Sequence, residues 1–150
     1  MPRPPLPPDI DEFFRRPNPA VVASIRSNGT PHTVATWYGW DGEHVLLNMD
    51  EGRLRLRFMR RNPHVALTAL DEKGWHRHVS IAGRIESIAE DEDLRDIDRL
   101  ALHYTGQPFR TRDRRRFSAV VAVETWHAWA GAGPWRPNRS SLPRGRKMGA

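Results

Sequence analysis

The chain has 150 residues, about the size of one domain, and its net charge of +6 arises from 22 arginines and only two lysines against 18 acids. It contains no cysteine, which excludes disulfides, thiolate metal sites and cysteine nucleophiles. Hydrophobic residues make up 38%, and the deficit lies at the ends: residues 1–8 and 131–150 are too rich in Pro, Arg and Ser to form a core, which leaves 9–130 as the folded unit.

In chain order, Asp9 to Arg16 runs from acids to cations before Pro17, the polarity of a short helix. Ala20 to Ile25 is an apolar strand, and Ser27-Asn28-Gly29-Thr30-Pro31 is a hairpin turn into a second strand, His32 to Trp40. Asp41-Gly42 reads as a type I′ turn into a third strand, His44 to Met49, so that three strands form a meander. Arg53 to Arg61 begins with strand-like alternation, but Gly52 before it and Pro63 after it suit a helix, and a helix is the expectation. Val65 to Leu70 and His78 to Ile88 are further strands joined through Asp71-Glu72-Lys73-Gly74. Glu90 to Asp93 place acids ahead of a helical pattern at Leu94, Ile97, Leu100 and Ala101, with Gly106 as its stop. After the basic stretch Arg110 to Arg116, Ser118 to Val123 is a sixth strand. The expected fold is mainly β with two or three helices: a six-stranded antiparallel barrel.

Chemistry concentrates between Asn48 and Ala66. Arg53, Arg55, Arg57, Arg60 and Arg61 fall within nine residues, and arginine makes planar, bidentate contacts to phosphates and carboxylates. An anionic ligand and a solvated arginine-rich helix face both fit this cluster. No recognition helix or aromatic platform is readable, so nucleic acid is not expected as a partner. No apolar run reaches the ~18 residues of a membrane span, and no signal-peptide core is present, so a cytoplasmic protein without a membrane partner is expected. His76 and His78, two apart on a strand, would share a face, but no third ligand accompanies them and no metal is expected. The acids Glu90 to Asp93 read as a helix start. No triad or glycine elbow is readable, and no catalytic residue is assigned.

These elements, in this order, resemble the split-barrel flavin-binding superfamily that includes pyridoxamine 5′-phosphate oxidase, and within it the actinobacterial branch of flavin- and deazaflavin-dependent oxidoreductases. The resemblance is carried by Asn28-Gly29-Thr30-Pro31-His32, Trp37-Tyr38-Gly39-Trp40-Asp41-Gly42 and Arg61-Asn62-Pro63-His64-Val65-Ala66. Ser80-Ile81-Ala82-Gly83-Arg84-Ile85, Tyr104-Thr105-Gly106 and Trp126-His127-Ala128-Trp129 complete it.

It implies an FMN-binding split barrel that forms a homodimer with the cofactor at the subunit interface. The implied function is hydride transfer to a small conjugated acceptor such as an enone or quinone, with reduced coenzyme F420 as the first choice of cofactor and FMN as the alternative. An FMN-dependent oxidase or reductase and a non-catalytic flavin carrier stand beside that reading. The resemblance puts Asn48 and Met49 along the ring or ribityl chain and Arg53, Arg55 and Arg57 on the phosphate, Arg55 standing where the family most often has lysine. Thr36, Trp37 and His78 are implied around the ring, and Trp126, Trp129 and Trp135 are implied as contributions from the other chain. Arg110 to Arg116 is either a solvated loop or a grip on the polyglutamate tail of F420. A substrate proton comes from solvent, Tyr38, His78 or His127.

Overall fold

The computed structural model describes residues 1–131 and 133–136, so most of the basic segment read from 131 to 150 lies outside the described residues. Helix α1 (Pro8–Phe14) carries Asp9 and Asp11 in its first turn and buries Ile10, Phe13 and Phe14. Strands β1 (Ala20–Ile25) and β2 (Pro31–Thr36) form the first hairpin. Gly29 alone in its loop takes a positive φ, 83°, and donates its N–H to the Arg26 carbonyl at 2.9 Å, the geometry of a type I turn closed by a left-handed residue.

The second hairpin joins β3 (Gly39–Trp40) to β4 (His44–Asp50). Its turn is type II′ and not the expected type I′, because the positive φ is confined to Gly42, the first of the two central residues. Asp41 Oδ1 accepts the N–H groups of Glu43 at 2.8 Å and His44 at 2.6 Å, which keeps Glu43 in an ordinary conformation. Helix α2 (Leu54–Arg61), strands β5 (His64–Leu70) and β6 (His78–Glu90), helix α3 (Arg95–Thr105) and strand β7 (Arg116–Trp129) follow.

Seven antiparallel strands form one sheet in the order β2-β1-β5-β6-β7-β4-β3, one strand more than expected. The expected meander is absent: β2 and β3 stand at opposite ends of the order, because the chain breaks at Trp37-Tyr38 and crosses between the hairpins. Tyr38 drives that break. Its ring stacks on Phe14 at 4.9 Å, and its buried hydroxyl donates to the Phe14 carbonyl at 2.7 Å while accepting from Asn18 Nδ2 at 3.0 Å.

Strand β7 runs past the expected Ser118–Val123 because β6 pairs with it from His78↔Trp129 to Glu90↔Phe117. The ladder bulges at Gly83, where an added Cβ would strike the Ala122 carbonyl oxygen. His76 lies in the turn before β6, so it and His78 do not share a strand face. Among the described residues no cluster of three metal-ligating side chains assembles, and no helix is long and apolar enough to cross a membrane.

Inward faces of the sheet supply Val22, Val45, Leu47, Leu67, Val79 and Val121, which close on α1 and on Leu56 and Met59 of α2. Full burial of each such side chain contributes about 1.5–3 kcal/mol. Leu6 and Trp135 join this core from near the two ends, Trp135 edge-on to Phe13 at 5.3 Å. At α3, the buried Asp91 carboxylate accepts the N–H groups of Asp96 at 2.9 Å and Ile97 at 3.0 Å, so this acid does start the helix. Gly106, at φ 76°, ends it.

Candidate functional site

The arginine-rich segment is helical because Leu56 and Met59, three residues apart, turn into the core and leave Arg57, Arg60 and Arg61 exposed, with Arg55 half-buried at the helix start. Gly52 N–H donates to Asp50 Oδ1 at 2.8 Å and Arg53 N–H to the Asp50 carbonyl at 3.1 Å, a turn that delivers the chain from β4 into α2. No side chain caps the first turn of α2, which leaves free N–H groups and a partial positive charge at its start.

In front of that turn lies a cleft of about 400 Å³, lined by His32, Val34 and Ala35 of β2, by residues 52 to 55, and by Arg116 of β7. Its lining holds three arginines and no carboxylate. Arg55 donates through Nη2 to the Asn48 carbonyl at 3.1 Å, whereas its buried Nε has no partner. Burial, and then repulsion from Arg53 and Arg116, pushes the Arg55 guanidinium down to about 10. Burial also lowers Arg116, against the pull of Asp50. A buried N–H without an acceptor costs about 1–3 kcal/mol, so an anion seated here relieves both the orphaned donor and the crowded positive charge.

Arg53 is exposed and stands 3.5 Å from Asp50, which also lies 3.6 Å from Arg114. Arg116 is fixed from behind. Its Nε donates to Asn48 Oδ1 at 2.7 Å; Asn48 Nδ2 in turn donates to Asp91 Oδ2 at 3.0 Å and Ser118 Oγ at 3.1 Å. Ser118 Oγ donates to Asp96 Oδ2 at 2.6 Å. Sequence reading grouped Arg116 with the basic loop and missed its place in this cleft. The register Asn48↔Ser118 between β4 and β7, which brings it there, has no local sequence signal.

Arg53 and Arg55 therefore meet in one cleft, with Asn48 behind them. Asn48 turns its side chain into the buried network, and Met49 is fully buried in the core. Arg57 is exposed on α2 and lies outside the cleft lining. Thr36 Oγ1 donates to the Trp37 carbonyl at 2.8 Å, and the Trp37 ring stacks on Tyr104 at 5.3 Å. His78 opens β6, with its ring 6.3 Å from that of His127, whose pKa is lowered by burial and then by His78.

Burial raises the Tyr38 hydroxyl well above its ordinary range. Trp126 and Trp135 are buried against their own chain, while Trp75 and Trp129 are exposed. In the basic loop, Arg112 makes a bidentate pair with Asp98 (2.9 and 3.0 Å) and Arg115 one with Glu90 (3.0 Å for both).

The chain matches the family described as pyridoxamine 5′-phosphate oxidase over residues 6–130. An F420 reductase of known structure shares 26% identity, covering 77% of this chain and 94% of that one, at a TM-score of 0.72. A conserved hypothetical protein from Mycobacterium tuberculosis shares 22% identity over 95% of this chain and 91% of its own, at a TM-score of 0.63. A Clostridium acetobutylicum protein related to a general stress protein shares 15% identity over 85% and 89% of the two chains, also at 0.63. The last two likenesses are likenesses of fold. No curated protein matches the chain. Its antiparallel split-barrel sheet and a family match that spans nearly all of the described residues agree, and the chain belongs to the pyridoxamine 5′-phosphate oxidase family.

Proposed function

We propose that the protein is an oxidoreductase that binds a flavin-type cofactor, reduced coenzyme F420 in the first instance, and transfers a hydride to a conjugated acceptor such as an enone or quinone. The observation that carries this reading is the unpartnered, buried Nε of Arg55 in a cleft that Arg53 and Arg116 also line and that contains no carboxylate. A cofactor phosphate suits that donor set, with Arg55 and Arg116 holding it, Arg53 closing over it from solvent and the N–H groups of α2 adding to the field. Asn48 keeps Arg116 aimed, and Val34 and Ala35 give the cleft an apolar wall.

When bound, the cofactor supplies the hydride chemistry, and the chain supplies binding, orientation and electrostatics. Thr36 and His78 belong to this reading only where a second subunit completes the site; Arg57, exposed beyond the cleft lining, Trp37, stacked on Tyr104, and Met49, buried in the core, stand outside it. A homodimer is part of it, and the outward sheet face supports that part. Val21, Thr68, Ser80 and His127 stand in one cross-strand row there, beside exposed Trp129. Proton delivery from solvent fits a cleft without a carboxyl or tyrosine in its lining.

FMN is the second reading, since its phosphate would meet the same donors. The loop from Arg110 to Arg116 has little free charge left for the polyglutamate tail of F420, because Arg112 and Arg115 are already paired; the 26% identity to an F420 reductase is what favours F420. The test mixes the purified protein with reduced F420 and a panel of quinones and enones and follows the return of oxidised cofactor. Turnover with at least one acceptor is expected. Absence of turnover, with FMN retained on purification, favours the FMN enzyme; absence of both cofactors from the protein overturns the reading.

A further inference from the structure

A second cavity, of about 320 Å³, opens beside the end of α3, and Trp37, Phe109, Ala101, Pro108 and Arg110 are among its lining residues. This volume is within the range of small-molecule sites, roughly 300–1,000 Å³. Its aromatic wall is built and held: Trp37 stacks on Tyr104 at 5.3 Å and meets Phe109 edge-on at 6.2 Å. Phe109 is fixed in turn, its N–H donating to Asp98 Oδ1 at 3.0 Å and its ring lying 4.6 Å under the Arg116 guanidinium.

Charge decides what such a wall receives. Aromatic walls accept cations, but this lining holds no carboxylate, and two carbonyls near the end of α3 already accept hydrogen bonds: Ala101 O from Thr105 Oγ1 at 2.8 Å and Leu102 O from the Gly106 N–H at 2.9 Å. Asp98, the nearby carboxylate, is neutralised by Arg112. Arg110 is different from Arg112, Arg114, Arg115 and Arg116, each of which has a partner within the chain. Among the described residues Arg110 has none, and it lines the cavity.

We infer that this cavity binds a planar aromatic acid, its ring against Trp37 and Phe109 and its carboxylate on Arg110. The site is separate from the phosphate cleft, with Arg116 and Phe109 between them, and it does not depend on which cofactor that cleft takes. An apolar ring gains by stacking, and a carboxylate on a free guanidinium makes a charge-assisted, bidentate contact.

Isothermal titration of the full-length, cofactor-free protein with 2-naphthoate and its neutral counterpart 2-naphthamide tests this. Saturable one-to-one binding of 2-naphthoate is expected. Arg110→Gln, an exposed change that leaves the fold intact, is expected to weaken 2-naphthoate about ten-fold and leave 2-naphthamide unchanged. Trp37→Leu is expected to weaken both, and Arg55→Gln neither. The inference is overturned by no saturable binding, by equal 2-naphthoate affinity in Arg110→Gln, or by loss of binding in Arg55→Gln, which would place the acid in the phosphate cleft. It is equally overturned if Arg110→Gln weakens FMN or F420 as much as 2-naphthoate, since the cofactor itself would then fill the cavity.

Discussion

Arg116 Nε donates a 2.7 Å hydrogen bond to Oδ1 of Asn48, 68 residues earlier in the chain, and through Asn48 the arginine-lined cleft is tied to the start of α3. On its other side Asn48 holds Asp91, whose carboxylate already receives two backbone N–H groups of that helix. Asn48→Leu, similar in size, would leave Asp91 and Ser118 short of a donor and Arg116 short of an acceptor. The expected loss of unfolding free energy is about 2–4 kcal/mol, read by urea denaturation. A change below about 0.5 kcal/mol would mean that the buried groups find other partners.

Gly83 is set for a steric reason. A methyl group there meets the Ala122 backbone carbonyl and lies 2.8 Å from Val121 Cγ1, and the backbone atom cannot rotate away. Gly83→Ala is expected to cost about 1–3 kcal/mol, with a lower Tm in a thermal melt. Gly74→Ala, with open space around its Cβ, is the control that should leave Tm nearly unchanged.

Much of the frame was legible because its signals are local. The helix preference of residues 53 to 61, the Gly29 turn and the Gly106 stop each depend on residues a few positions apart. The meander failed for the opposite reason: a strand-like run, His32 to Trp40, contains the break at Trp37-Tyr38, and what turns Tyr38 inward is Phe14 and Asn18, some twenty residues away. The site divides the same way. Arg53 and Arg55 were readable from their position at a helix start, whereas Arg116 reaches the cleft only through the β4–β7 register. Asn48 was readable as a residue near the site but not as one whose side chain faces the interior.

Acid should loosen the loop after α3. The Arg112 hydrogen bonds hold the Asp98 carboxyl below the usual carboxylate range. A depressed acid adds stability above its unfolded pKa, and that contribution is lost as pH falls through the folded value, here below the ordinary ~3.9. The difference in Tm between wild type and Asp98→Asn is therefore expected at neutral pH and should shrink as pH drops below about 4. A difference that stays constant down to strong acid would show that Arg112 does not stabilise the carboxylate.

The Arg55 guanidinium, lowered to about 10, is charged at neutral pH and becomes neutral as pH rises through that value. Its hold on an anion is present below that pH and weakens above it; a bound phosphate, by favouring the charged form, moves the loss upward. FMN affinity measured by fluorescence titration should be level from pH ~7 to ~9 and fall in more alkaline buffer. An affinity that already declines near pH ~8 would assign the anion contact to a group that titrates lower.

The most direct measurement is an equilibrium titration of F420 and of FMN into wild type, Arg55→Gln and Arg57→Gln. At least one cofactor should bind the wild type, Arg55→Gln should weaken it ten-fold or more, by about 1.4 kcal/mol, and Arg57→Gln should match the wild type. Binding by Arg55→Gln as tight as by the wild type, or failure of the wild type to bind either cofactor, would contradict the assignment of this cleft to a cofactor phosphate.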